Sequence, residues 1–373
     1  MAPEFNSLRR LALGAINDRV IPGVVVAVGH KTQVRLLEAF GQRQTEPEPA
    51  PATVDTGYDL ASLTKAVVTS LLVMKGVADG LLHLDRPLGD YLGMLQVRPE
   101  VTLRRVLAHA GGFPAHRKFY EHALAEPSQA NRAAIVEWAS SEPLAYLPGS
   151  KSIYSDLGFI LLGALVEEAM SARLDLLAER LIFQPLRLSS LGFVDLLASA
   201  PAAEFRGHPV APTERCSVRG GLVLGEVHDL NAFAMGGIAG HAGLFGGAQD
   251  LMQLALVLCA AYHGRGVDGG APFVRPEVLR AFWQPAGIPG STWRLGWDGP
   301  SVHGSLAGDL MSRRAVGHLS FTGCSLWIDA EQETCVVMLT NRIHPEVRDD
   351  PRFRALRPAL HDAALQAIGY QAG

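Results

Sequence analysis

Ser62 and Lys65 stand three residues apart in Ser62-Leu63-Thr64-Lys65, where an apolar helical pattern begins. Three residues along a helix return to the same face, so a hydroxyl and an amine can meet there. A serine hydroxyl is a weak nucleophile until a base takes its proton. A lysine becomes such a base when burial and a positive helix N-terminus lower its pKa. The same helix start offers backbone N–H groups to an oxyanion. Alone, the motif also reads as a helix cap followed by a solvated lysine.

A second polar cluster, residues 148–158 with the sequence PGSKSIYSDLG, precedes a long apolar run. Tyr154 can donate to a departing atom and, beside a cationic lysine, can be partly deprotonated. Asp156 or Ser155 is placed to hold Lys65, although either also serves as a helix N-cap beside a packed tyrosine. The third candidate is Gly317-His318-Leu319-Ser320-Phe321-Thr322-Gly323, a glycine-flanked strand. At a cleft, such an edge offers a backbone N–H to an oxyanion and pairs with an extended substrate.

The elements that must position these residues follow from hydrophobic spacing. A helix is expected over 5–18, ended by Pro22-Gly23. Runs 23–28 and 34–40 read as a β-hairpin around Lys31-Thr32, and the proline tract 44–53 as a surface loop. Helical spacing dominates 66–77, 103–108, 130–139, 157–170 and 174–182, then 248–261 and 351–368. Residues 318–329 and 334–339 are β-rich. The expected fold is α/β: one antiparallel sheet flanked by helices, built from 1–66 and 225–373, with a helix-rich insertion at 67–224 and the cleft between them.

The chain has 373 residues, 48% hydrophobic and 19% charged, with net charge -4, which suits one large compact domain. Thirty-three Lys and Arg against 37 Asp and Glu give no basic field for nucleic acid. The longest clean apolar stretch, 157–166, is half the length of a membrane span. The N-terminus, with Arg9 and Arg10 inside its apolar pattern, lacks the core of an export signal, so a cytoplasmic protein is expected. Cys216, Cys259, Cys324 and Cys335 lack metal-site spacing and are expected as reduced core thiols. Thirteen histidines include no H-E-x-x-H, and G-x-S-x-G, the P-loop and G-x-G-x-x-G are missing. No metal or cofactor is expected.

The three elements, in this order and spacing, resemble the serine hydrolases related to class C β-lactamases, DD-peptidases and β-lactamase-like carboxylesterases. Their signature is S-x-x-K, then Y-x-N or a variant, then K-T-G, H-T-G or W-x-G on a strand. The likeness runs from about Pro22 to Asn341. It includes Val106-Leu107-Ala108-His109-Ala110-Gly111-Gly112-Phe113-Pro114, Gly225-Glu226-Val227-His228-Asp229, Gly240-His241-Ala242-Gly243-Leu244-Phe245, Leu295-Gly296-Trp297, and 321–329. It implies the β-lactamase/transpeptidase-like fold, with Ser62 the acylated nucleophile and Lys65 its proton acceptor or electrostatic partner. Tyr154 would be the general base or acid, and the N–H groups of Ser62 and Phe321 the oxyanion hole. A rival register gives the second motif to Ser155-Asp156.

Departures from the pattern bear on substrate. His318 and Leu319 replace the fixed cation and hydroxyl that grip a substrate carboxylate, and Ser320 replaces a glycine, adding bulk at the cleft. Asp156 replaces asparagine and should raise the Lys65 pKa, moving the base role toward Tyr154. Arg313 or Arg314 is a candidate to restore the cation; Trp293 and Trp297 line the cleft or the core. The expected activity is acyl-enzyme hydrolysis of a small ester, or as second choice an amide or lactam, in cytoplasmic metabolism or biosynthesis. The alternatives are acyl transfer through the same intermediate and a non-catalytic binding protein of the same fold. Oligomeric state is not legible.

Overall fold

The computed structural model describes residues 3–93, 97–266 and 270–370. The opening pattern forms α1 (Asn6–Asn17). The valine run becomes β1 (Gly23–His30), which reverses through Lys31 at φ 59° into β2 (Gln33–Gln44). The last third of the chain supplies β4 (Val316–Leu319), β5 (Ser325–Asp329) and β6 (Thr334–Leu339). With β3 (Ala50–Pro51) on the far edge, the sheet order is β4-β5-β6-β1-β2-β3, antiparallel throughout. β1 and β6 meet in register, Val25 opposite Leu339 and Val28 opposite Val336, which closes the two chain ends into one sheet.

The two-residue period of β1 decides what covers it. Val25 and Ala27 enter the larger core, where α6 (Ala248–Tyr262) packs, whereas Val24, Val26 and Val28 enter a second core with α1 and α7 (Pro351–Ala367). Each buried valine contributes about 1.5–3 kcal/mol. A strand buried on both faces reads as an unbroken apolar run, as the sequence does.

The middle of the chain holds α2 (Leu71–Ala78), α3 (Leu103–Leu107), α4 (Gln129–Ser141) and α5 (Asp156–Met170). The α5 helix is almost wholly buried along 157–166. Gly163 lets it touch the backbone at Gly240; a Cβ there would lie 2.9 Å from the Gly240 Cα. A small three-stranded sheet joins Tyr58–Asp59, Leu244–Gly246 and Gly192–Phe193, tying the chain before Ser62 to the chain after His241. The stretch 67–224 also carries two short hairpins, Glu204–Phe205 with His208–Pro209 and Arg215–Cys216 with Gly221–Leu222. Short strands of two residues leave too little periodicity to read.

Two expectations need correction. The run 318–329 is not one strand: Ser320 N–H donates to the Cys324 carbonyl at 2.8 Å, and Cys324 N–H donates to Ser320 Oγ at 2.9 Å. This turn, with Gly323 at φ 119°, folds β4 back on β5. The proline tract is not wholly loop, because Ala50–Pro51 pairs with the edge of β2, where Pro needs no donor. The four cysteines are buried and form no disulfide, with the Cys259 and Cys335 sulfurs 3.4 Å apart. Among the described residues, no helix is long and apolar enough to cross a membrane.

Candidate active site

The chain leaves the small sheet at Asp59 and turns sharply through Ala61, at φ 43°, into Ser62. A non-glycine residue held there costs on the order of 1–3 kcal/mol. Asp59 supplies the restraint. Its Oδ1 accepts from Ala61 N–H at 2.8 Å, its Oδ2 from His228 N–H at 2.7 Å, and its carbonyl from Thr322 Oγ1 at 2.9 Å. One buried residue thus joins the nucleophile turn, the 225–229 segment and the turn after β4. Burial pushes its carboxyl above the ordinary value, against the pull of those N–H groups.

Lys65 opens a π-helical turn, Lys65–Ser70, that runs into α2; Ser70 Oγ donates to the Lys65 carbonyl at 2.7 Å. The side chain is fully buried. Nζ donates to Ser62 Oγ at 3.0 Å and to the His241 carbonyl at 2.8 Å, and pairs with Asp156 Oδ1 at 2.8 Å. Tyr154 completes the cluster: its ring centroid lies 5.0 Å from Nζ, and its hydroxyl interacts with both Ser62 and Lys65. Burial alone would lower the lysine, but Asp156 and Tyr154 outweigh it and raise Lys65 above its ordinary value. For Asp156, burial is likewise overcome by Lys65, which holds the carboxyl far below its usual range. Tyr154 is raised by burial against the pull of Lys65.

The left-handed turn at His109, φ 53°, carries the second motif. Its carbonyl accepts from Ile153 N–H at 2.9 Å and from the Tyr146 hydroxyl at 2.8 Å; its Nδ1 accepts from Ser155 N–H at 3.0 Å. Tyr154 is therefore held from both sides in the chain. Ser155 Oγ donates to the Pro114 carbonyl at 2.7 Å and caps α5, so the register that gave Ser155 the second-motif role does not fit. Asp156 is the residue that reaches Lys65.

The wall on the β4 side is aromatic and neutral. The rings of His109 and Trp293 lie 4.2 Å apart, Tyr154 and Trp293 5.6 Å, and Trp293 and His318 5.6 Å. His318 Nδ1 donates to the Leu319 carbonyl at 2.8 Å, leaving Nε2 as the lone-pair nitrogen. Burial, then Lys65, pushes this imidazole down to about 3. Among the described residues, the N–H groups of Ser62 and Phe321 donate to no protein acceptor, so both are free for an oxyanion. The Phe321 ring is 49% exposed and stacks on His228 at 5.4 Å.

Ser62, Lys65, Tyr154 and Asp156 come together, and His318 faces Tyr154 with centroids 6.0 Å apart. Ser320 does not add bulk to the cleft: its hydroxyl bonds Thr322 Oγ1 and Cys324 N–H inside the turn. Arg313 binds the carbonyls of Ser301 and Val302, and Arg314 pairs with Glu331, so neither restores a cation. Trp293 lines the site, whereas Trp297 is fully buried against Trp283. Sequence reasoning gave no role to Asp59, His109, His116 or the His241 carbonyl. The signal for Asp59 was its place three residues before Ser62; for His109, whose partners Ile153 and Ser155 lie more than 40 residues on, no local signal exists. His241 and Asp229, apart in sequence, pair at 2.9 Å. Among the described residues, no three His, Cys, Asp or Glu side chains are placed to hold a metal.

The sharp turn into Ser62, the buried Lys65 and the Tyr154 phenol thus meet where the helical layer packs against the sheet. Residues 8–361 match the Beta-lactamase family model, and the chain belongs to that family. A protein of Escherichia coli O157:H7, provisionally named a D-alanyl-D-alanine carboxypeptidase, is 31% identical over 361 residues, 89% of this chain and 81% of its own. The N-acetylmuramyl-L-alanine amidase of Bacillus subtilis (strain 168) is 29% identical over 358 residues, 88% and 79% of the two chains. In three dimensions the chain is similar to simvastatin synthase (LovD) of Aspergillus terreus, with TM-score 0.73, 20% identity and full coverage of both chains. It is also similar to EstCE1, a hydrolase with promiscuous acyltransferase activity, with TM-score 0.72, 18% identity and coverage of 96% and 97%.

Proposed function

We propose that this protein is a serine acyl hydrolase in which Ser62 attacks the carbonyl of a small ester or amide. Tyr154, as its phenolate, takes the Ser62 proton as the Oγ–carbon bond forms, and the oxyanion faces the N–H groups of Ser62 and Phe321. Collapse breaks the bond to the leaving group, which receives the proton from Tyr154. Water then gives a proton to Tyr154 as its oxygen adds to the acyl carbon, and collapse passes that proton on to Ser62 Oγ and releases the acid. Lys65 stays an ammonium throughout. The observation that carries this reading is the buried Lys65 nitrogen, 3.0 Å from Ser62 Oγ and 2.8 Å from Asp156 Oδ1. Three oxygens lie within hydrogen-bond distance of this nitrogen, matching the three hydrogens of an ammonium. An alcohol or amine in place of water would turn the same intermediate into acyl transfer.

A neutral His318 supports a substrate without a free carboxylate beside the scissile bond. β-Lactams and D-Ala-D-Ala peptides carry that carboxylate. The amidase among the relatives keeps amides within the proposal. A cytoplasmic metabolic or biosynthetic role is part of the same reading, supported by four buried cysteines held as thiols; recovery of the native protein from the cell envelope would overturn it. For the chemistry, short-chain p-nitrophenyl esters should be hydrolysed and a fluorophosphonate should label the protein, and Ser62→Ala should abolish both. Absence of labelling in the unaltered protein would instead favour a binding protein. Efficient cephalosporin turnover would refute the substrate preference.

A further inference from the structure

Asp156 has a second partner. His116 Nδ1 donates to Asp156 Oδ2 at 3.1 Å, while Oδ1 of the same carboxylate holds Lys65. The His116 side chain is 43% exposed and Lys65 is fully buried. A continuous chain therefore runs from solvent through His116, Asp156 and Lys65 to Tyr154 and Ser62.

Counting charge along that chain shows what His116 supplies. Lys65 and Asp156 cancel, so a phenolate on Tyr154 leaves a buried cluster with one net negative charge. An imidazolium on the outer oxygen of Asp156 returns the total to zero. An asparagine at 156 would need no such partner. The charged groups facing His116 are Asp156 from α5, Asp229 from the 225–229 segment and Lys65 from the nucleophile helix. Around its open cleft stand the Arg117–Glu142 and Lys118–Glu121 pairs and His122, each pair already internally balanced. The hydrogen bond to Asp156 raises His116 above the ordinary imidazole value, and Asp156 raises Tyr154.

We propose that His116, acting through Asp156, is the positioning residue that lets Tyr154 lose its proton, so that an imidazole outside the pocket sets the pH range in which Ser62 is acylated. The inference rests on Tyr154 as the base. His116 holds its proton most firmly when Tyr154 has lost its own, and a neutral His116 makes the phenolate harder to form.

The test is the pH profile of kcat/KM for p-nitrophenyl acetate in four proteins: unaltered, His116→Gln, His116→Lys and Tyr154→Phe. Activity should rise with pH along an acid limb reporting Tyr154. His116→Gln keeps a donor to Asp156 but no charge, and its limb should move up by about one pH unit. His116→Lys, a fixed cation, should return the limb to the unaltered position or below it. A merely structural histidine would change stability or the plateau, not displace the limb according to charge. Limbs of both His116 variants within about 0.2 pH units of the unaltered protein, with Tyr154→Phe inactive, would overturn the role of His116 and leave Tyr154 standing. An active Tyr154→Phe would remove the base assignment, and this inference with it.

Discussion

Lys65 and His318 are both buried beside Ser62, yet they end in opposite states. Lys65 meets a carboxylate at 2.8 Å and keeps its charge. His318 meets only a carbonyl, with Tyr154 and Trp293 packed around it, and loses its charge. His109, across Trp293, is likewise driven well below its ordinary value by burial, then by His318 and Lys65. Burial penalises every one of these cations, so the partner decides the outcome. The lesson is a division of labour: one wall keeps a charge beside Ser62, and the other presents an uncharged surface to the cleft.

The strongest way to break that division is to take the cation from the charged wall. Lys65→Met leaves Asp156 with His116 as its remaining cationic partner, and removing one member of a buried ion pair costs about 3–5 kcal/mol. Ester turnover should fall by about 1,000-fold or more, since both the ordering of Ser62 and the field on Tyr154 are lost. Adding Asp156→Asn should recover most of the stability in urea unfolding and none of the turnover. If the double variant were as unstable as the single one, the ion pair would not be what holds the pocket.

Asp59 sharpens the comparison, because it is a buried carboxyl that acts through hydrogen bonds and not through an ion pair. Asp59→Asn offers one oxygen where two N–H groups, of Ala61 and His228, now bind. One of them must face an amide NH2, costing about 1–3 kcal/mol. The strained turn at Ala61 then loosens, and kcat should fall about 10- to 100-fold with KM nearly unchanged. A rise in KM at constant kcat would show that Asp59 serves substrate binding and not the placement of Ser62.

How far the sequence reveals this site follows the range of each interaction. Ser62 and Lys65 are legible because three residues on one helix are neighbours by geometry, and both hairpins because β-rich runs around a short polar turn are local. The excess charge at Asp156 is legible too, but its partner His116 is 40 residues away, and nothing local joins them. His109 carries the second motif through one ring nitrogen and one carbonyl, a use that its glycine-rich surroundings do not encode. Ser320 misleads because a strand would aim it at the cleft, whereas the 320–324 turn takes its hydroxyl for itself. Trp293 and Trp297 look equivalent in sequence, and only the packing sends one to the site and the other to the core.

The neutral wall should also be visible in the pH dependence of stability. Unfolded, the imidazole of residue 318 takes a proton near pH 6.5; folded, it resists until about pH 3. Its contribution is therefore complete above the unfolded value and is lost as pH falls, because the unfolded chain gains a proton that the native one cannot. The loss approaches about 1.4 kcal/mol per pH unit inside that window. His109 and His361, both lowered by burial, act in the same direction, and the raised, half-exposed His116 acts weakly against them. The charged wall is silent there: raised Lys65 loses its contribution only in alkali, and depressed Asp156 only below the ordinary carboxylate range. His318→Gln should thus lower the stability lost between pH 7 and pH 5 by about 1–2 kcal/mol in urea unfolding. An unchanged loss would mean that His318 ionises in the folded protein, and with a cation on the β4 side the proposed preference against carboxylate substrates would have no physical basis.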